Sequence, residues 1–267
     1  MLYHTKEGRL PLDGTHMDYV AFGTGKKALL LIPGLNLRGV KGAGLSLAWM
    51  YRAFTKEYRV YAFDRKDQIE AGCTIWDLAE DLAAAAKCLN IASADVIGIS
   101  QGGMIAQALA IRHPQLVHKL ILGVTAAHAN ETIQRVVGGW LQAAEKGDWP
   151  TINRESITLG YSEAYVRRYR LLLPLLERMV KPADSQRFIR LTQSILTFDA
   201  RAELHQIMCP VLVLGGHKDQ IVTGEASLAM AQTLGCEVFL YDQLGHAAYD
   251  EAKDFNQRML AFLCQRG

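Results

Sequence analysis

The amino-acid sequence predicts an α/β protein with a mostly parallel central sheet, helices on both faces of that sheet, and a helical insertion. Three observations carry the prediction. Continuous apolar runs such as KALLLIP (27–33) and ADVIGI (94–99) have the pattern of strands covered on both faces. Segments with helical periodicity alternate with these runs. The alternation lapses over residues 125–200, which read as mostly helical, and resumes with CPVLVLG (209–215).

Taken in order, residues 16–22 form the first expected strand, followed by a Gly-Thr-Gly turn and the run 27–33. Residues 45–54 have helical spacing through Leu47, Met50, Tyr51 and Phe54, and RVYAF (59–63) is the next short buried strand. Thr74, with Asp77 three positions on, caps the alanine-rich helix WDLAEDLAAAAKCL. The strand 94–99 leads into a helix over 101–112, which stops near Pro114, and HKLILGV (118–124) is a further strand. Within the insertion, turns are expected near Gly147, Gly160 and residues 181–184. After it come strand 209–215, helix 225–234, strand 236–241 and helix 254–264. The insertion therefore divides one sheet, with 1–124 and 201–267 as the core and 125–200 as a cap. No internal repeat or low-complexity tract interrupts the pattern.

Composition excludes several classes of function. The 267 residues are 50% hydrophobic and 21% charged, ordinary for a globular chain and unlike a disordered one. A net charge of +2 gives no reason to expect nucleic acid or an anionic membrane as partner. The five cysteines are scattered and form no CxxC pair, so neither zinc site nor disulfide framework is suggested. The opening MLYHTKEGRLPLDG carries acid and lysine where a secretory apolar core would stand, and no run of about 18 apolar residues occurs. A soluble, cytoplasmic protein, monomeric or homodimeric, is expected.

The segment Gly98-Ile99-Ser100-Gln101-Gly102 matches G-x-S-x-G at the junction of a buried strand and a helix. A residue at the tip of so sharp a turn is forced toward positive φ, and glycine two places away on either side lets strand and helix approach closely. The hydroxyl then stands clear of the sheet, beside the free amides and positive dipole of a helix N-terminus. A dinucleotide-binding turn is the competing reading. It fails because Ser100 occupies the place of the second glycine in G-x-G-x-x-G.

A serine hydroxyl needs a base, and the base an orienting carboxylate. Both belong at the carboxyl ends of later strands, the edge where open α/β sheets build their sites. Asp219 follows the strand 209–215, and His246 follows the strand 236–241. Taken alone, either is as readily a cap or a surface-loop residue. Together they give the chain order Ser100, Asp219, His246. Most other histidines lie at the wrong edge or in the wrong order. His128, just past the strand 118–124, is expected on the substrate side. Asp242 and Asp250 are too near His246 in sequence to sit on a separate strand end.

On these residues the chain resembles the α/β-hydrolase family over nearly its whole length, through LLLIPGL (29–35), YAFDRK (61–66), GISQGGMIAQALAIRHP (98–114), CPVLVLGGHKDQIV (209–222) and LGHAAYDE (244–251). It looks like the capped bacterial branch that includes esterases, enol-lactonases and carbon–carbon bond hydrolases. The resemblance implies an α/β-hydrolase fold with a helical cap inserted after the sixth strand, Ser100 as nucleophile, His246 as base and Asp219 as orienting acid. It also implies an oxyanion hole built from the backbone N–H groups of Gln101 and Leu35. Relatives usually carry His-Gly where this chain has Pro33-Gly34, and an Arg-Gly-x-Gly stretch where it has DRKDQIEAG (64–72). Asn36 is expected to add a side-chain donor. A serine nucleophile argues against the aspartate-dependent dehalogenases and epoxide hydrolases of this fold. Neither metal nor cofactor is implied.

The expected chemistry is an acyl-enzyme cycle on a small ester or related acyl substrate, with lactonase, thioesterase and carbon–carbon hydrolase as alternatives on the same residues. The insertion is rich in large side chains, among them Trp140, Trp149, Tyr161, Tyr165, Tyr169, Leu171 and Met179. Most are read as packing, with Trp140 facing the substrate. Arg167, Arg168 and Arg170 read as a solvated helix face. A ligand-binding receptor with little turnover is the alternative of another class.

Overall fold

The computed structural model describes residues 2–175 and 181–265, so Met179 lies outside the described residues. Eight strands form one sheet: β1 (Lys6–Leu12), β2 (Thr15–Phe22), β3 (Lys27–Ile32), β4 (Tyr58–Lys66), β5 (Ala94–Ile99), β6 (Val117–Gly123), β7 (Val211–Gly216) and β8 (Glu237–Tyr241). Their spatial order is β1-β2-β4-β3-β5-β6-β7-β8. From β4 to β8 every neighbouring pair is parallel, while β2 runs antiparallel to both β1 and β4.

Alternation along the central strands builds two cores. Leu30 and Ile32 of β3, Val96 of β5 and Leu120 and Leu122 of β6 point to one face. There they meet α2 (Ile75–Cys88), α3 (Gln101–Arg112) and α8 (Gly224–Leu234). Leu29, Leu31, Ile97, Ile99 and Ile121 point to the other, against α1 (Gly44–Met50) and α10 (Phe255–Cys264). Because both faces are covered, these strands read as unbroken apolar runs. Thr74 caps α2 as expected. Its hydroxyl accepts from the Asp77 amide at 3.2 Å, and the Asp77 carboxylate accepts from the Thr74 amide at 2.8 Å.

Between β6 and β7 the chain runs through α4 (Glu131–Glu145), α5 (Trp149–Gly160), α6 (Glu163–Tyr169) and α7 (Ser185–Leu196). The two ends of this excursion are tied together: the Ala129 amide donates to Phe198 O and the Ala200 amide to Ala127 O, with His128 bridged to Asp199. The short α9 (Ala248–Glu251) follows β8. No described helix is long and apolar enough to cross a membrane.

Three differences from the sequence reading have physical causes. β1 was not expected, because KEGRLPL carries charges, glycine and proline. It is an edge strand joined to β2 by the tight Asp13-Gly14 turn, both residues at positive φ, and an edge tolerates proline. The helix expected over 45–54 ends at Met50, with one tight 3₁₀ turn over Arg52–Phe54. The strand expected over 59–63 extends through Lys66, which carries Asp64 and Arg65 to the carboxyl edge of the sheet.

Candidate active site

Gly98, at the end of β5, explains the sharpness of the turn that follows. A Cβ placed there would lie 2.4 Å from Gly102 O and 2.7 Å from the Gly103 Cα. A Cβ on Gly102 would lie 2.0 Å from Ile32 O. Strand, helix and the loop after β3 can therefore meet only where side chains are missing. Ser100 takes the strain, at φ 55° and ψ −121°, and projects its hydroxyl over the carboxyl edge of the sheet. Thr125 Oγ1 donates to Ser100 O at 2.8 Å and steadies the turn from below.

Asp219 and His246 arrive from the loops after β7 and β8. His246 Nε2 lies 2.9 Å from Ser100 Oγ, and His246 Nδ1 lies 2.8 Å from Asp219 Oδ2. The other Asp219 oxygen accepts from the amides of Ile221 and Val222 at 2.8 and 2.9 Å. Burial opposes the charge of this carboxylate. His246 and the two amides outweigh it, so the Asp219 carboxyl is held below its ordinary range. The structure thus brings three residues from three separate loops into one hydrogen-bonded line. In that line the imidazole is positioned to exchange a proton with the hydroxyl.

The loop after β3 closes on the same spot. A Cβ on Gly34 would sit 3.2 Å from Ser100 Cβ. Leu35 lines the cavity beside Ser100, and Gln101 opens α3, where the amides of Gly103 and Met104 donate back to Ser100 O at 2.8 and 3.3 Å.

The Ser100 cavity measures about 140 Å³ and is walled by Met104, Ile133, Val137, Trp140, Ile195 and Tyr249. Among the described lining residues there is no lysine or arginine. A cleft of about 340 Å³ shares Leu35, Trp140 and Ser156 with it and leads out past Asn36 and Phe188. A larger, more open hollow of about 520 Å³ lies between α2 and the segment that follows α3, near Glu80 and His113, and contains none of the three aligned residues.

Trp140 lines the cavity, with its indole N–H donating to Glu155 at 3.1 Å. The other two substrate-side candidates lie outside the wall of the Ser100 cavity. His128 is not among the residues lining the Ser100 cavity, and its backbone bridges to Asp199. Burial and the nearby Arg201 lower its pKa, with Asp199 opposing. Asn36 lines the outer cleft instead. Its side chain shapes its own loop, donating to Gly34 O at 3.3 Å and accepting from the amides of Arg38 and Gly39. Arg167, Arg168 and Arg170 are exposed, as a solvated face requires. Tyr249, Ile221 and Val222 were not foreseen as wall residues, although all three flank predicted site positions in the sequence.

The sequence model described as the alpha/beta hydrolase fold matches residues 27–253. The chain belongs to the α/β-hydrolase family. It is 30% identical, over 93% of its own length and 91% of the relative's, to the 2-hydroxy-6-oxononadienedioate/2-hydroxy-6-oxononatrienedioate hydrolase of Paraburkholderia phymatum. It is 24% identical to the 3-oxoadipate enol-lactonase 2 of Acinetobacter baylyi, over 83% of this chain and 82% of that one. Among solved structures, the enol-lactonase of Burkholderia xenovorans superimposes with a TM-score of 0.84 at 22% identity, covering 97% of this α/β hydrolase and 100% of that chain. That likeness is one of fold.

Proposed function

We propose that this α/β hydrolase is a serine hydrolase that cleaves small carboxylic esters through an acyl-enzyme. The observation that carries the reading is the line Ser100–His246–Asp219 on the floor of an apolar cavity. His246 takes the Ser100 proton as Oγ attacks the ester carbonyl, and the developing oxyanion is held by the amides of Leu35 and Gln101. His246 then gives the proton to the leaving alcohol. A water activated by the same imidazole releases the acid and restores Ser100. Asp219 fixes the imidazole tautomer and stabilises the imidazolium. The helices over 125–200 serve as the cap that walls the cavity.

The choice of an uncharged ester over the relatives' substrates rests on the wall. The two relatives named above act, by their names, on compounds that carry carboxylates, which call for a cation in the pocket. The described wall of the inner cavity supplies aliphatic and aromatic groups with no such cation, the adjoining Arg38 lining only the outer cleft, and the inner volume suits a short acyl chain. The test is labelling of Ser100 by a fluorophosphonate, followed by turnover of p-nitrophenyl esters of increasing acyl length. Labelling with turnover that peaks at short acyl chains supports the reading. A labelled serine with turnover only of lactones, thioesters or carbon–carbon substrates replaces the esterase assignment, and labelling without any turnover replaces it with a receptor.

A further inference from the structure

Arg65 is a buried cation, 4% exposed, whose contacts lead to the anion-binding corner rather than to a carboxylate. One nitrogen, Nη2, donates to Pro33 O at 2.6 Å and to Gln101 Oε1 at 3.0 Å. Nε and Nη1 have no hydrogen-bond partner. The adjacent acid, Asp64, is engaged elsewhere, accepting from Arg187 at 2.9 Å and from the amides of Arg65 and Val40. The Gln101 side chain, 1% exposed, continues the line: its Nε2 donates to Leu191 O at 2.8 Å and to Ser194 Oγ at 3.3 Å, both on α7. The same helix is pinned to the end of β4 by Arg187, which donates to Arg65 O at 2.7 Å and Lys66 O at 2.9 Å.

We infer that Arg65 and the Gln101 side chain are positioning residues, forming an interior strut that sets the amides of Leu35 and Gln101 and ties their placement to the seating of α7. Holding Pro33 O fixes the peptide plane that enters Gly34-Leu35, and so the direction of the next amide. Holding Gln101 at both ends of its side chain fixes the residue whose amide opens α3. The guanidinium adds a fixed positive charge in a desolvated setting behind a site where negative charge develops, an arrangement of greatest value in the transition state. Burying a cation whose neighbouring acid, Asp64, is shared with Arg187 and two amides, and leaving its Nε and Nη1 without partners, is costly for the fold. The retained charge therefore points to a task other than stability. This inference rests on the acyl-enzyme reading.

The experiment compares the full chain with Arg65→Met and Gln101→Met in turnover of a short p-nitrophenyl ester, in inhibition by an alkyl boronic acid that mimics the tetrahedral intermediate, and in Tm. Arg65→Met is expected to lower kcat by about 10–100-fold, somewhat less than loss of a direct oxyanion donor. KM stays nearly unchanged and boronate affinity falls by the same factor as kcat, while Tm falls modestly because Pro33 O and Gln101 Oε1 lose their donor. Gln101→Met keeps its backbone amide and is expected to move kcat and boronate affinity together in the same direction. The double variant loses less than the product of the two single losses, because both break one strut. Should Arg65→Met not fold, Gln101→Met carries the test. Wild-type kcat and boronate affinity in a folded variant overturn the strut, as does a loss seen only in KM or only in Tm. Turnover surviving in Ser100→Ala, run in parallel, overturns the acyl-enzyme reading itself and the strut with it.

Discussion

The imidazole Nε2 of His246 lies 2.9 Å from the hydroxyl of Ser100, across 146 positions of sequence. Neither residue reaches the other by local structure. Ser100 is delivered by a strained turn that two glycines permit, and His246 by a loop after the last strand. That loop is itself held by the end of α5, because the Ala247 amide donates to Gly160 O at 2.8 Å and the adjoining Tyr161 OH donates to Asp250 at 2.8 Å.

The turn is the least forgiving part. Replacing Gly98 with Ala would drive a methyl group to 2.4 Å from a backbone oxygen that has nowhere to move. Gly98→Ala is expected to destabilise the fold by about 1–3 kcal/mol or more and to abolish turnover, as read by urea unfolding and ester hydrolysis. An unchanged unfolding midpoint would contradict the packing described here.

Asp219 predicts a pH dependence. Despite its burial, its carboxyl is held below the ordinary range by His246 and two amides. A group whose pKa is lower in the folded than in the unfolded chain stabilises the fold above its unfolded pKa, near 3.9 for aspartate. That contribution is lost as pH falls through the folded pKa. The stability difference between the wild type and Asp219→Asn is therefore expected to be full at neutral pH and to shrink below about pH 4. Urea titrations between pH 7 and 3 read it, and a pH-independent difference would refute it.

The strand-to-helix change at Ser100 was legible because the apolar run of β5 and the helical run of α3 meet at a glycine pair. Asp219 and His246 were legible because each follows an apolar strand in a fixed order. What the sequence hid was lateral. Arg65 and Gln101 meet between β4 and α3, and no periodicity in either segment marks the pairing. His128 obeyed the same after-strand rule as Asp219, yet its backbone was spent on closing the neck of the insertion. β1 was obscured because an edge strand need not be apolar or free of proline.

The cavity wall predicts acyl selectivity. Trp140→Leu removes the indole and its bond to Glu155, at a stability cost of about 1–3 kcal/mol. The preferred p-nitrophenyl ester is expected to shift to a longer acyl chain. A profile of kcat/KM against acyl length that does not move would place Trp140 outside the acyl site.

The cysteines predict an ordered chemical reactivity. Burial pushes the thiols of Cys73, Cys209 and Cys236 up to about 11, while Cys88 and Cys264 are exposed. Because the thiolate is the reacting form, Ellman's reagent at pH 8 should modify Cys88 and Cys264 in a fast phase and the other three in a much slower one. A single phase that consumes all five would contradict this.

The central claim is that Ser100 is the nucleophile, and the most direct measurement is single-variant turnover of a short p-nitrophenyl ester. Ser100→Ala should fold with an unchanged or slightly raised Tm and lose at least ~10⁴-fold in kcat, with no release of the fast first equivalent of p-nitrophenol. Hydrolysis by folded Ser100→Ala at a rate near that of the wild type would contradict the account.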